Sequence, residues 1–204
     1  MFNWAREKGI TDASNPCTGV SRNREAGRDN YVTDEVLNAV RNEASPELAD
    51  AIDIALLTGQ RPADVLKFRR NMIADGYLWH KQNKTGAKQG IEITPGSEFE
   101  RVLNRALERP RVATGAWLVQ TSSGQCLTVQ TLQRRFRAAC ALAAAKHPEL
   151  AKQIHDFQCR DLRPKAATDS ADLRSAQELL GHSDETTTAR IYRRVRGSKV
   201  KPLR

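Results

Sequence analysis

Apolar residues recur at helical spacing on both sides of one stretch, Asn71 to Thr94, in which that period vanishes. Before it, Val36, Leu37 and Val40 follow Thr33, a residue able to cap a helix, and Leu48, Ala51, Ile52, Ala55 and Leu56 follow Pro46, well placed at a helix start. Thr58-Gly59 closes that second helix, and Pro62 opens another through Val65, Leu66 and Phe68. After the stretch, Phe99, Val102, Leu103 and Ala106 form one stripe; Leu132, Phe136, Ala139, Cys140 and Ala143 form another behind Thr128. Shorter helices are predicted from Leu162 to Ser170, from Leu173 to Leu180 with Gly181 as its stop, and around Ile191-Tyr192. Within the aperiodic stretch, Met72-Ile73, Tyr77-Leu78-Trp79 and Ile91-Glu92-Ile93 read as short strands separated by Asp75-Gly76 and Thr85-Gly86 turns. The pattern predicts an α+β fold, mainly α-helical, with a small three-stranded antiparallel β-sheet.

The 204 residues suit one main domain. No apolar run approaches the roughly 20 residues of a membrane helix, and the opening MFNWAREKG has no signal-peptide block, so a cytoplasmic setting is expected. Cys17, Cys126, Cys140 and Cys159 form no CxxC pair, which argues against a zinc site and for free thiols; no metal or cofactor is expected.

A formal charge of +9 and a pI near 9.7 favour a polyanionic partner such as nucleic acid. The excess is uneven: Arg61 to Gly90 holds seven basic residues to two acidic, and Arg193, Arg194, Arg196, Lys199, Lys201 and Arg204 follow Tyr192 with no acid among them. Taken singly, the polar residues have ordinary explanations. Arg61 can pair with Asp64 three residues along a helix, Lys84 can be a solvated turn residue, His182 can cap a helix end, and Tyr192 can pack. Taken in order, Arg61, Lys84, Arg163, His182 and Tyr192 suggest a nucleophile aimed at a phosphate.

In sequence, Thr58-Gly59-Gln60-Arg61-Pro62-Ala63-Asp64-Val65-Leu66 resembles the first-arginine box of the tyrosine recombinase (phage integrase) family. Lys84-Thr85-Gly86 resembles its β-hairpin lysine, and Arg160-Asp161-Leu162-Arg163 its second-arginine box. Leu179-Leu180-Gly181-His182, Thr186-Thr187-Thr188 and Ile191-Tyr192 resemble the segment with the last histidine and the nucleophile.

The resemblance implies that Tyr192 attacks a phosphodiester to give a 3′-phosphotyrosyl link. It implies that Arg61 and Arg163 clamp the non-bridging oxygens, Lys84 protonates the departing 5′-oxygen, and His182 bonds the phosphate or assists proton traffic. Arg160 stands where the family usually has histidine; it can donate to phosphate but stays protonated. His155 lies just upstream, but the Asp-Leu-Arg run sets the register on Arg160. The stretch from His182 to Tyr192 is one residue longer than the family's usual spacing, which a loop at Ser183-Asp184-Glu185 would absorb.

Domain limits follow from the same resemblance: residues 1–30 as the end of an N-terminal core-binding domain plus linker, with a helix over Phe2 to Lys8; 31–194 as the catalytic domain; 195–204 as a basic tail. The implied partner is double-stranded DNA at attachment sites, bound as a tetramer on paired sites by a protein that is a monomer when free, with a possible accessory directionality factor. Arg134, Arg135 and Arg137 share a helix that could face a groove, and Lys67, Arg69, Arg70, Lys81 and Lys88 are candidate phosphate contacts. Two other readings fit the residues: a DNA-binding module that has lost activity, and a type IB topoisomerase-like strand relaxer.

Overall fold

The computed structural model describes residues 1–21, 30–82, 86, 88–109 and 116–181. A short helix α1 (Phe2–Glu7) precedes the body, which runs α2 (Asp34–Asn42), α3 (Pro46–Thr58), α4 (Pro62–Val65), β1 (Ile73–Ala74), β2 (Tyr77–Lys81), β3 (Lys88–Glu92), α5 (Glu98–Glu108), α6 (Val129–Lys146), α7 (Ala151–Asp156), α8 (Leu162–Asp169) and α9 (Leu173–Leu180). The mainly helical α+β architecture expected from the pattern is present. The predicted helix around Ile191-Tyr192 lies outside the described residues.

Helix α3 forms the centre. Leu48, Ala51, Ile52, Ile54 and Ala55 are buried around its whole circumference, because α2, α5, α6 and α8 all pack on it. A helix enclosed on all sides can be apolar throughout, yet α3 also carries Asp50 and Asp53, both buried. Each is met by cations from neighbouring helices. Arg41 reaches Asp53 at 2.5 Å, Arg105 bridges Asp50 at 2.8 Å and Asp53 at 2.6 Å, and Arg109 also pairs with Asp50. This arginine cluster clips α2 and α5 to the central helix.

The helix ends follow the sequence closely. Thr33 accepts from the Val36 amide and Thr128 from the Thr131 amide, as their capping positions predict. Ser97 does the same for α5, accepting from Glu100. Helix α7 and the 3₁₀ turn Cys159–Asp161 have no counterpart in the sequence reading; in α7 only Ile154 is buried, too little for a periodic signal.

The sheet is antiparallel in the order β1-β2-β3. Its strands differ at their ends from the apolar runs: Met72 belongs to a 3₁₀ turn, β2 continues to Lys81, and β3 begins at Lys88 and stops before Ile93. Cross-strand pairing carries the hairpin out to the Lys81↔Lys88 register, so backbone hydrogen bonds extend the strands past the point where hydrophobicity marks them. The β1–β2 turn uses Asp75 and Gly76, both at positive φ.

Helix α8 is tied to the start of the domain by a buried cation. Lys165 Nζ lies 2.6 Å from Asp34 and 2.9 Å from Asp169, and over the ring of Tyr31, whose hydroxyl donates to Asp169.

Candidate active site

Three chain segments meet where α3 ends. Gly59 takes a left-handed conformation there, φ +61°, which closes α3 and turns the chain into α4. Arg61 is the residue just before α4, with its side chain about one-third exposed; its Nη1 is 3.8 Å from Oδ2 of the buried Asp64. The i,i+3 ion pair anticipated from sequence therefore forms, at long range.

Arg163 enters the same junction from α8. It is almost fully buried and donates from Nη1 to the Gly59 carbonyl at 2.6 Å and from Nη2 to the Leu180 carbonyl at 2.9 Å. Burial first, and then the charge of Arg61, push its pKa down to about 10, against an opposing pull from Asp64. Two guanidinium groups thus share a site with one buried carboxylate. A tetrahedral oxyanion placed against both would relieve their repulsion, and guanidinium forks suit its geometry.

Around the arginines lies a group that sequence reasoning missed, the glutamines Gln60, Gln82 and Gln89. Gln60 and Gln82 are buried. Gln60 Nε2 donates to the Leu179 carbonyl at 3.0 Å, Gln82 Nε2 to the Leu180 carbonyl at 3.0 Å, and Gln89 Nε2 to the Glu178 carbonyl at 2.7 Å. They also bond one another: Gln82 Nε2 donates to Gln60 Oε1 at 3.1 Å, and Gln60 Nε2 to Gln89 Oε1 at 3.2 Å. The last carbonyls of α9, which a helix cannot satisfy itself, are capped by side chains from the sheet and the first-arginine turn. No local signal marks these glutamines, since their partners are more than 85 residues away for Gln89 and Gln82 and further for Gln60.

Arg160 is exposed on the 3₁₀ turn before α8, which Gln158 and Asp161 brace as a capping box. With Arg137, His155 and Gln133 it lines an open cavity of about 360 Å³. Arg134 and Arg137 are exposed on α6, but Arg135 is half-buried and paired with Glu47 of α3, so the three arginines do not present one face. Among the other candidate phosphate contacts, Lys67, Lys81 and Lys88 are exposed. Arg69 covers the Trp117 ring at 4.3 Å, and Arg70 donates to the Leu107 carbonyl at 2.7 Å. Lys84, in the connection between β2 and β3, lies outside the described residues, as do His182 and Tyr192. Gly181, the residue before His182, closes α9 in a left-handed turn at φ +61°. Among the described residues no group of three His, Cys, Asp or Glu side chains could hold a metal ion, and no helix is long and apolar enough to cross a membrane.

A helical body, a three-stranded hairpin sheet and two arginines converging at the end of α3 are what the resemblance to the tyrosine recombinase family leads one to expect. The chain belongs to the phage integrase family, which it matches over residues 30–199. The integrases of Enterobacteria phage 434 and Escherichia phage lambda are each 30% identical to it over 183 residues, 85% of this chain and 49% of theirs. The chain therefore spans about half the length of these relatives. The fold is similar to that of a lambda integrase dimer bound to a COC′ core site, with a TM-score of 0.74 and 21% identity over 98% of this chain and 58% of that one. It is also similar to the Tn1549 transposon integrase in complex with circular intermediate DNA, with a TM-score of 0.65 and 16% identity over 97% of this chain and 72% of that one.

Proposed function

We propose that this chain is the catalytic part of a site-specific DNA recombinase that cuts and rejoins strands through a 3′-phosphotyrosyl intermediate, for integration or excision of phage or mobile-element DNA. The observation that carries the reading is the buried Arg163, anchored on the carbonyl of Gly59, two residues before Arg61. The Arg163 guanidinium is held by two carbonyls before substrate arrives, so on its side little reorganisation is needed as charge develops on the phosphoryl oxygens. In this reading Tyr192 is the nucleophile. Its hydroxyl oxygen bonds phosphorus and gives up its proton to solvent or through His182, the bond from phosphorus to the 5′-oxygen breaks, and Lys84 protonates that departing oxygen; Arg160, and His182 where it does not carry the proton, donate to the phosphate. The phosphotyrosine keeps the bond energy, so a 5′-hydroxyl can reverse the attack without ATP.

Residues 31–194 form the catalytic domain in this proposal, residues 1–30 the end of a core-binding domain with its linker, and 195–204 a basic tail. The partner is double-stranded DNA at attachment sites. Lambda integrase has been seen as a dimer on a core site and as a tetramer on a Holliday junction, which supports a tetramer on paired sites; in this reading the free chain is a monomer, and there is room for an accessory directionality factor. The site of action is the DNA in the bacterial cytoplasm.

The test is a nicked duplex carrying the attachment site, incubated with the protein and run on a denaturing gel. A covalent protein–DNA adduct that disappears in Tyr192→Phe is expected. Absence of adduct, with the chain joined to a core-binding domain, overturns the proposal; relaxation of supercoils without regard to sequence points instead to a topoisomerase-like activity.

A further inference from the structure

Gln60, Gln82 and Gln89 do more than fill space beneath the site. Their donors meet the carbonyls of Glu178, Leu179 and Leu180, and the Leu180 carbonyl accepts from both Gln82 Nε2 at 3.0 Å and Arg163 Nη2 at 2.9 Å. The other anchor of Arg163 is the Gly59 carbonyl, one residue before Gln60 and two before Arg61. The same polar knot therefore sets the carbonyls that orient Arg163 and the turn that presents Arg61. Its fit is close: a β-carbon at Gly181 would lie 2.7 Å from Gln82 Nε2 and 3.0 Å from Gln89 Oε1.

We propose that Gln60, Gln82 and Gln89 are positioning residues for the phosphate clamp, holding the end of α9 against the sheet so that Arg163 and Arg61 keep a fixed mutual geometry. This rests on the recombinase reading above. The physical argument is that Arg163 is buried and charged, so its guanidinium takes whatever orientation its carbonyl acceptors dictate. Moving the Leu180 carbonyl moves the fork, and a misplacement near 1 Å at a reacting centre can cost about 10²-fold in rate. The amides suit this task because they supply donors to the helix end while adding no charge beside two cations.

The test uses the full chain and its Gln82→Met and Gln89→Met variants, which keep side-chain volume and remove the donors. Two quantities are read on folded protein well below its thermal midpoint: the rate of adduct formation at saturating nicked duplex, and the ¹⁵N-edited NMR signals of the Arg163 guanidinium, assigned with Arg163→Lys. Adduct formation is expected to slow by up to about 10²-fold while duplex affinity is unchanged. Separate Nη signals for Arg163, which reflect hindered rotation against its carbonyls, are expected to merge in both variants. A folded variant with the wild-type saturating rate, or with unaltered Arg163 signals, overturns the proposal and leaves the recombinase reading standing. A wild-type chain that forms no adduct even when joined to a core-binding domain overturns that reading, and this proposal with it. If Gln82→Met does not fold, Gln89→Met, whose side chain is only half-buried, supplies both measurements.

Discussion

The guanidinium of Arg163 donates to the carbonyl oxygen of Gly59 across 104 residues of sequence, at 2.6 Å. That bond joins the second-arginine helix to the turn carrying Arg61, and the second one to Leu180 brings in the helix leading to His182. An ammonium group cannot make two divergent bonds from a planar fork. Arg163→Lys is therefore expected to keep the fold and to slow adduct formation by about 10²–10³-fold, the usual cost of losing a preorganised donor. Single-turnover cleavage of the nicked duplex, with circular dichroism as a check on folding, measures this.

Gly59 itself tolerates no side chain. Its φ of +61° disfavours other residues, and a β-carbon there would meet Leu180 Cδ2 at 3.1 Å and Leu179 Cγ at 3.2 Å. Gly59→Ala is expected to lower stability by about 1–3 kcal/mol. Urea unfolding followed by far-ultraviolet dichroism would show it as a lower midpoint at unchanged slope.

Asp50 is fully buried on α3 between Arg105 and Arg109. Removing Asp50 leaves Arg109 without its carboxylate and Arg105 with Asp53 alone; because both arginines are partly exposed, the cost lies at or below the lower end of the range of about 3–5 kcal/mol for a fully buried pair. Asp50→Ala should fall there, and replacement by Asn should cost less because a hydrogen-bond acceptor remains. Thermal denaturation of both variants checks the order as well as the size.

His80 is buried on β2, its ring 5.3 Å from that of Phe68. Burial lowers its pKa below the ordinary 6.5, outweighing the opposite pulls of Asp64 and Gln89. The unfolded chain then binds more protons than the folded chain once pH drops below 6.5, so this contribution to stability is complete above that value and is lost as pH falls towards the folded pKa. Unfolding free energies measured from pH 7 to 5 should decline less steeply in His80→Phe than in the wild type. Identical slopes would remove His80 as the cause.

Burial also protects two thiols. The Cys140 pKa is pushed up to about 11 and that of Cys159 to about 12, whereas Cys17 is exposed. Because the thiolate is the nucleophile, iodoacetamide at neutral pH should label Cys17 in the native protein and leave Cys140 and Cys159 unmodified. Mass spectrometry after native and denaturing labelling distinguishes the sites.

Much of the fold was legible because its signals are local. Thr33, Pro46, Gly59, Thr128 and Gly181 stand at helix ends where capping and left-handed geometry place them, and stripes such as Phe99, Val102, Leu103 and Ala106 read the buried face directly. Helix α7 escaped notice because one buried isoleucine makes no period. The far ends of β2 and β3 escaped because hairpin pairing, not hydrophobicity, extends them. Arg135 shares a helix with Arg134 and Arg137 in any sequence reading, yet only packing of α6 on α3 brings Glu47 to it.

By itself, then, the sequence determined the order and type of most elements and the ordered boxes holding Arg61 and Arg163, since periodicity, caps and motif spacing act over a few residues. Tertiary structure alone decided what those arginines touch. The Gly59 and Leu180 carbonyls, the three glutamines and the charge of Arg61 reach Arg163 from elements far apart in the chain. A side chain's orientation and pKa are set by such neighbours in space, and their identity follows from how the helices and the sheet pack.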